Sequence, residues 1–347
     1  MSRWSYFLRR LVLAIPVLFF AMSIIFLIIR AGPLDPVAAI LGQNQDPQVA
    51  HQMRVQIGLV RPDGTPVPLW EQYIKFMTDL VTFNFGQTWV INRGTNALDL
   101  IAARAPVTIW LGFWSILIAL FVGIPLGFYA GLNPNTLSDY TASFSGIIWR
   151  AMPNFWLAVI LASVLANSTQ LSQEILGITF TWQTFIVETG VIGTPELTDL
   201  GDPTRLIAAI KWILPAAIVL GSASMGNEMR IGRTAVLETI NSNYVETARA
   251  KGLTNRVIVW KHIFRNALIP LVPVISAEAF LLIGGSVLVE YVFGLNGLGK
   301  LSFQAINQGD MPLAGALLFI FAVFLQIVNI LQDFLYTVID PRIGYES

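Results

Sequence analysis

Long apolar stretches at residues 11–29, 107–132, 145–166, 208–229, 267–293 and 313–338 dominate the chain. A bilayer core of roughly 30 Å needs about 20 apolar residues as helix, and each stretch meets that length. Lipid offers no water to unpaired backbone groups, so apolar runs of this length are read as helices. A membrane β-barrel would instead show alternating segments of about ten residues. The fourth stretch is the weakest, because Lys211 lies near its start and Gly221-Ser222-Ala223-Ser224 dilutes it. The pattern predicts an all-α membrane protein with about six transmembrane helices.

Charge orients the bundle. Arg3, Arg9 and Arg10 precede the first stretch. Its apolar run is too long for a signal-peptide core, and Arg30-Ala31-Gly32-Pro33 is a poor cleavage site, so a retained signal anchor is expected. The segment between the fourth and fifth stretches carries Arg230, Arg233, Arg249, Lys251, Arg256, Lys261 and Arg265. Cytoplasmic loops are enriched in Lys and Arg, so this loop and the N-terminus are placed inside the cell. An even number of spans then returns the C-terminus, with Arg342, to the same side.

Three regions follow: an N-terminal tip with the first helix (1–30), an external segment (31–106) and a core of five helices (107–347) with a cytoplasmic loop at 230–266. The external segment is too polar to span and too short for an independent enzyme domain. Pro62-Asp63-Gly64-Thr65-Pro66 is a turn cluster, and Trp70, Tyr73, Ile74 and Met77 recur at helical spacing, so a small cap of short helices is predicted. In the second span Gly123, Gly127 and Gly131 recur every four residues, a spacing that lets helices approach closely in lipid; a gating hinge is the other reading. Pro16, Pro125, Pro153, Pro215, Pro270 and Pro273 fall in or at the ends of spans, where kinks suit a bundle that must open.

Composition narrows the chemistry. Of 347 residues 55% are hydrophobic and 12% charged, with a mean hydropathy of +0.65; a soluble domain carries roughly twice that charged fraction. Net charge is zero, so no nucleic-acid partner is implied. The absence of Cys excludes disulfides, thiolate catalysis and Cys-ligated zinc, and His51 and His262 are too few for a His-rich metal site. No H-E-x-x-H, G-x-S-x-G or pair of intramembrane aspartates is present, which argues against an intramembrane enzyme. Gly294-Leu295-Asn296-Gly297-Leu298-Gly299-Lys300 matches part of a P-loop, but Leu301 stands where the Mg²⁺-binding hydroxyl belongs, and the motif follows a span instead of a strand. It is read as a Gly-rich turn, so no ATP site is expected in this chain. The ionisable residues singled out within spans are Arg150, Glu278 and Glu290. Because such groups are costly in lipid, Glu278 and Arg150 are candidates for the translocation path, with a structural hydrogen bond or, for Arg150, snorkelling to the interface as the alternatives.

The basic loop contains Asn243-Tyr244-Val245-Glu246-Thr247-Ala248-Arg249-Ala250-Lys251-Gly252-Leu253, a short helix with Asn243 as a candidate N-cap and Gly252 as its stop. This stretch resembles the EAA loop of ABC importer permeases, with Glu246, Ala248 and Gly252 on the motif and Thr247 in place of its usual second Ala. Arg265-Asn266-Ala267-Leu268-Ile269-Pro270, Phe85-Gly86, Pro153-Asn154-Phe155-Trp156-Leu157-Ala158, the run from Gly284 and Gly285 to Glu290, Gly297-Leu298-Gly299 and Asp340-Pro341-Arg342-Ile343 extend the likeness along most of the chain. Together they resemble the dipeptide/oligopeptide/nickel permease family, specifically its B-type subunit. Departures are Glu278 where the family usually has Gln, Asn296 for a common Pro, and a longer segment at 169–203.

The resemblance implies a type I ABC importer permease bundle working by alternating access. It implies a heterodimer with a related permease, two cytoplasmic ATPases that hold the ATP and Mg, and an external solute-binding protein that delivers cargo. Tyr244, Glu246, Thr247, Ala248, Lys251 and Gly252 would form the ATPase-coupling helix, with Ala248 facing the ATPase closely, while Gly284 and Gly285 join the path candidates. Dipeptide, longer peptide, nickel chelate and oligosaccharide all remain open as cargo. An ion-coupled secondary transporter is the alternative, although it would favour inverted repeats with broken midplane helices, which the sequence does not display.

Overall fold

A computed structural model describes residues 3–31, 36–42, 46–179, 193–195, 201–278 and 287–339. Their regular structure is helical, with two isolated bridges, Val60 to Pro66 and Gln87 to Asn96, as the β-type pairings among the described residues. In chain order the helices are α1 (Arg3–Ala31), α2 (Pro36–Leu41), α3 (Pro47–Gln56), α4 (Leu69–Val81) and α5 (Ala97–Leu132). Next come α6 (Leu137–Ala151), α7 (Asn154–Ala166), α8 (Ser168–Leu176), α9 (Pro203–Ile240) and α10 (Asn243–Ala250). The chain continues as α11 (Asn255–Ser276), α12 (Val287–Val292), α13 (Leu298–Asn307) and α14 (Met311–Ile339).

Among the described residues five helices are long and apolar enough to cross a membrane: α1, α5, α9, α11 and α14. A sixth crossing is possible through α6 and α7 together, but these meet at 97°. The expected third span is thus bent at Pro153, one of the prolines expected to kink the spans, and forms a broken span or a re-entrant loop. Pro153 disfavours helical backbone at the residue before it, and Met152 is extended, with φ −75° and ψ 122°. The fourth stretch, expected to be the weakest, lies in the longest helix. At 38 residues α9 is about 57 Å long, well beyond the bilayer core. The fifth begins earlier than its apolar run, at Asn255. It is wound as a π-helix over Ile258–Phe264 and as a 3₁₀ turn at Ile269–Leu271 around Pro270.

Prolines also explain the irregular turn in α5. Pro125 has no N–H for the carbonyl of Phe121 and crowds it, and the turn at Ala119–Gly123 is opened to π form.

The described residues fall into two compact units, 1–105 with 298–330, and 106–297 with 331–347. In the first, α4 packs on α1 through Tyr73 and Phe76, whose rings lie 5.3 and 5.4 Å from that of Phe26. The Ser23 and Tyr73 hydroxyls share a 2.7 Å hydrogen bond. Buried Asp310 accepts from the backbone N–H groups of Trp89, Val90 and Ile91 at 2.9–3.0 Å, which anchors the loop before α5 to the start of α14. The predicted turn at 62–66 is present, with Asp63 accepting from the Thr65 N–H at 2.9 Å. A 2.6 Å hydrogen bond from the Thr65 hydroxyl, together with that from its N–H, holds the exposed Asp63 carboxyl below its usual range.

In the second unit α9 is the central element, and glycines set its contacts. A Cβ on Gly123 would lie 2.8 Å from the Met225 carbonyl oxygen, one on Gly127 2.5 Å from that of Met229, and one on Gly131 2.7 Å from the Val236 side chain. Backbone therefore meets backbone along α5 and α9, as the four-residue glycine spacing predicts for bundle packing. These pairs advance together along both helices, so α5 and α9 run parallel. On another face α6 runs antiparallel to α9, from the Asp139–Arg233 ion pair to the contact of Gly146 with Gly226. That alternation is what second, third and fourth spans of one bundle require.

Candidate functional site

The basic loop folds as a helix laid against the end of α9. Ser242, with φ −80° and ψ 145°, takes the cap position, so the expected cap at Asn243 is corrected by one residue. The Ser242 hydroxyl turns back to donate to the Thr239 carbonyl at 2.6 Å. At the other end Gly252 adopts φ 73°, the left-handed conformation open to glycine at low cost. The Leu253 N–H reaches the Ala248 carbonyl at 3.3 Å and the Gly252 N–H that of Arg249 at 2.9 Å, which closes the helix.

Burial divides α10 into two faces. Val245 and Ala248 are 0% and 4% exposed and share a core with Ala235, Val236, Ile258, Ile263 and Ala267. The expectation that Ala248 faces a partner closely is therefore overturned: its small side chain lets α10 seat on α9 and α11 of its own chain. Tyr244, Glu246, Thr247, Arg249, Lys251 and Gly252 are exposed. The helix and its closing turn thus offer a polar, mixed-charge surface held in place by two buried residues.

The path candidates scatter. Glu278, half-buried, accepts a 2.7 Å hydrogen bond from the Ser224 hydroxyl of α9. Arg150 is exposed near the end of α6. Gly284 and Gly285 lie outside the described residues. A residue that the sequence reading passes over stands out instead. Glu228 is 0% exposed, and neither carboxylate oxygen has a hydrogen-bond partner among the described residues. It sits one turn beyond Ser224, where Gly123 leaves room for it: a Cβ there would be 3.1 Å from Glu228 Oε2. The signal was available, since Glu228 is ionisable and falls within the predicted bounds of the fourth span. The third intramembrane charge, Glu290, is fully buried and accepts from Thr108 at 2.9 Å.

Gly294 turns with φ 68°, and Gly297 lies against Thr108 and Glu290, so the space beside it is filled by a carboxylate and a hydroxyl. Each unit has a cavity. In the first, about 460 Å³ is lined by aromatic rings with Arg30, Lys75, Asp79 and Arg93. Burial pushes the Asp79 carboxyl up from its usual range. In the second, about 520 Å³ lies beside α6 and α9.

Comparison with known proteins places this geometry. Residues 123–345 match the family described as binding-protein-dependent transport system inner membrane component, and residues 3–112 match the N-terminal region described for such membrane components. The oligopeptide transport system permease protein AppB of Bacillus subtilis is 33% identical over 98% of this chain and 99% of its own length. The dipeptide transport system permease protein DppB of Alkalihalophilus pseudofirmus is 30% identical over the same shares. DppB of Escherichia coli is 29% identical, over 99% of both. Among solved structures, a chain of the inward-facing MetNI methionine ABC transporter is similar with a TM-score of 0.47 and 20% identity, over 70% of this chain and 97% of that one.

Proposed function

This chain belongs to the family of binding-protein-dependent transport system inner membrane components, and from that premise we propose that it forms the translocation pathway of an ATP-driven importer for dipeptides or oligopeptides. The peptide class rests on the near full-length likeness to permeases that carry those names. As a transport subunit the chain is not an enzyme. It works in a multi-pass membrane assembly with an ATPase and a binding protein, and an ion-coupled transporter is not supported.

The finer reading is a heterodimer with a second, related permease. ATP and Mg sit on two cytoplasmic ATPases, and both termini of this chain are cytoplasmic. The observation that carries the coupling mechanism is the two-faced helix α10. Its buried face, Val245 and Ala248, fixes it to α9 and α11, so force applied to the exposed face moves those spans as a body. The exposed Tyr244, Glu246, Thr247, Lys251 and Gly252 then meet the ATPase. Movement of α9 is felt at Ser224 and Glu228, and through the Ser224 hydrogen bond at Glu278.

The test is uptake and ATP hydrolysis by the complete importer in vesicles, with ATPase pull-down alongside. Reversing the charge at Lys251 and truncating Tyr244 are expected to lower peptide-stimulated hydrolysis and uptake together, with membrane insertion and binding-protein docking retained. Wild-type uptake with both changes would refute the coupling role of α10.

A further inference from the structure

The cavity of about 520 Å³ in the second unit has an unusual wall. Arg150 of α6 and Arg230 and Arg233 of α9 line it, together with small residues such as Gly127, Gly146 and Gly226. Arg233 is already matched: it donates to buried Asp139 through both Nε and Nη2, the second at 2.8 Å. Arg150 and Arg230 form no ion pair with any described residue. The nearest acid in sequence, Glu228, is buried on the α5 side of the helix against Gly123. Two guanidinium groups with no acidic partner among the described residues therefore border one hollow.

Three features define what would fill it. The charge calls for an anion, and guanidinium groups suit phosphate oxygens, which they can engage through paired N–H donors. The volume is about seventeen times the share of one water in the liquid, far more than a bare inorganic anion occupies. The flank is apolar: Ile147 lines the cavity, and Phe144, one turn earlier on α6, is 66% exposed. Height in the bilayer agrees. Arg230 directly follows the apolar stretch 208–229, at the end that the positive-inside pattern places toward the cytoplasm. Basic pockets between transmembrane helices at that level suit anionic headgroups.

We propose that this cavity binds an anionic phospholipid of the cytoplasmic leaflet, with its phosphate held by Arg150 and Arg230. The site lies on α6 and α9, so an occupied cavity braces the helix that carries α10. The inference rests on the orientation given under Proposed function and not on the identity of the cargo.

The complete importer, purified with its partner subunits from discs of phosphatidylcholine and phosphatidylglycerol, is examined by native mass spectrometry. Wild type is expected to retain phosphatidylglycerol through delipidating washes. Arg150→Gln with Arg230→Gln is expected to lose at least tenfold of it, while the double Lys variant keeps most, which separates loss of charge from loss of fold. Equal retention by wild type and the Gln variant overturns the proposal. So does displacement of the lipid by millimolar inorganic phosphate, which would identify a free-anion site. A third overturning result is a wild-type preference for peptides with a free over an amidated C-terminus that vanishes in the Gln variant without a change in bound lipid, because the arginines would then serve cargo. Topology labelling fails separately, by reaching Arg249 from the external face.

Discussion

The Thr108 hydroxyl donates to Glu290 Oε1 across 2.9 Å, joining α5 to α12 although 182 positions separate them. Both residues are 0% exposed. Gly297 completes the arrangement, since a Cβ there would stand 2.7 Å from the Glu290 carboxyl carbon. Gly297→Ala is expected to displace that carboxylate and lower the melting temperature of the assembled complex by several degrees. Thr108→Val, which removes the donor at constant shape, should cost about 1–3 kcal/mol. Unchanged melting in both variants would show that the link does not hold the unit together.

Ala248 is buried against its own chain, so Ala248→Trp should act by dislodging α10 from α9 and not by a clash with the ATPase. Overpacking a core typically costs about 1–3 kcal/mol, so uptake and thermal stability should both fall. Gly252→Val places a β-branched residue at φ 73° and is expected to loosen the helix end, reducing uptake while overall melting changes little. Normal stability of the Ala248 variant with lost uptake would restore the partner-facing assignment.

Glu228 has no hydrogen-bond partner among the described residues and no exposure. A buried polar group left without a hydrogen-bond partner costs about 1–3 kcal/mol, which an apolar side chain of similar volume avoids. Glu228→Met should therefore raise the melting temperature. We expect it to lower uptake as well, because ionisable residues within spans mark pathways. Glu278→Gln, by contrast, preserves an acceptor for Ser224 and should leave a folded complex with altered cargo preference. Failure of Glu278→Gln to assemble would assign Glu278 a structural role.

Asp139 holds Arg233 at the end of the α6 and α9 pair, and its carboxylate is 1% exposed. Asp139→Asn removes the charge but keeps the shape, and should cost about 2 kcal/mol, within the range for hydrogen bonds to charged groups. Arg233 is 32% exposed, so water recovers part of the loss. Equal denaturation midpoints for variant and wild type would place this pair among surface bridges of little energetic consequence.

Because the chain contains no Cys, single-cysteine labelling reads its topology directly. Cysteine at exposed Asp63 should react with an impermeant reagent from outside. Cysteine at exposed Arg249 should react only after the membrane is opened. The reverse pattern would invert the bundle.

The amino-acid pattern by itself determined that the chain is helical and membrane-embedded, because lipid leaves the backbone few choices and apolar length is read locally. It likewise specified the glycine seam of the second span and the turn at Gly252, where missing side chains are informative one position at a time. Tertiary structure decided what lies opposite each residue. That Pro153 breaks the third span by 97° depends on helices that accept the bend, whereas the sequence shows a proline alone. The apolar count placed the fourth span's ends at 208 and 229, but helical hydrogen bonding continues through polar residues to Ile240 once packing supports it. The same physical distance between pattern and contact explains Ala248, whose motif says small and conveys nothing of which neighbour requires it. It also explains Glu228, Arg150 and Arg230: a sequence displays charge, and only the fold shows whether a charge has a partner.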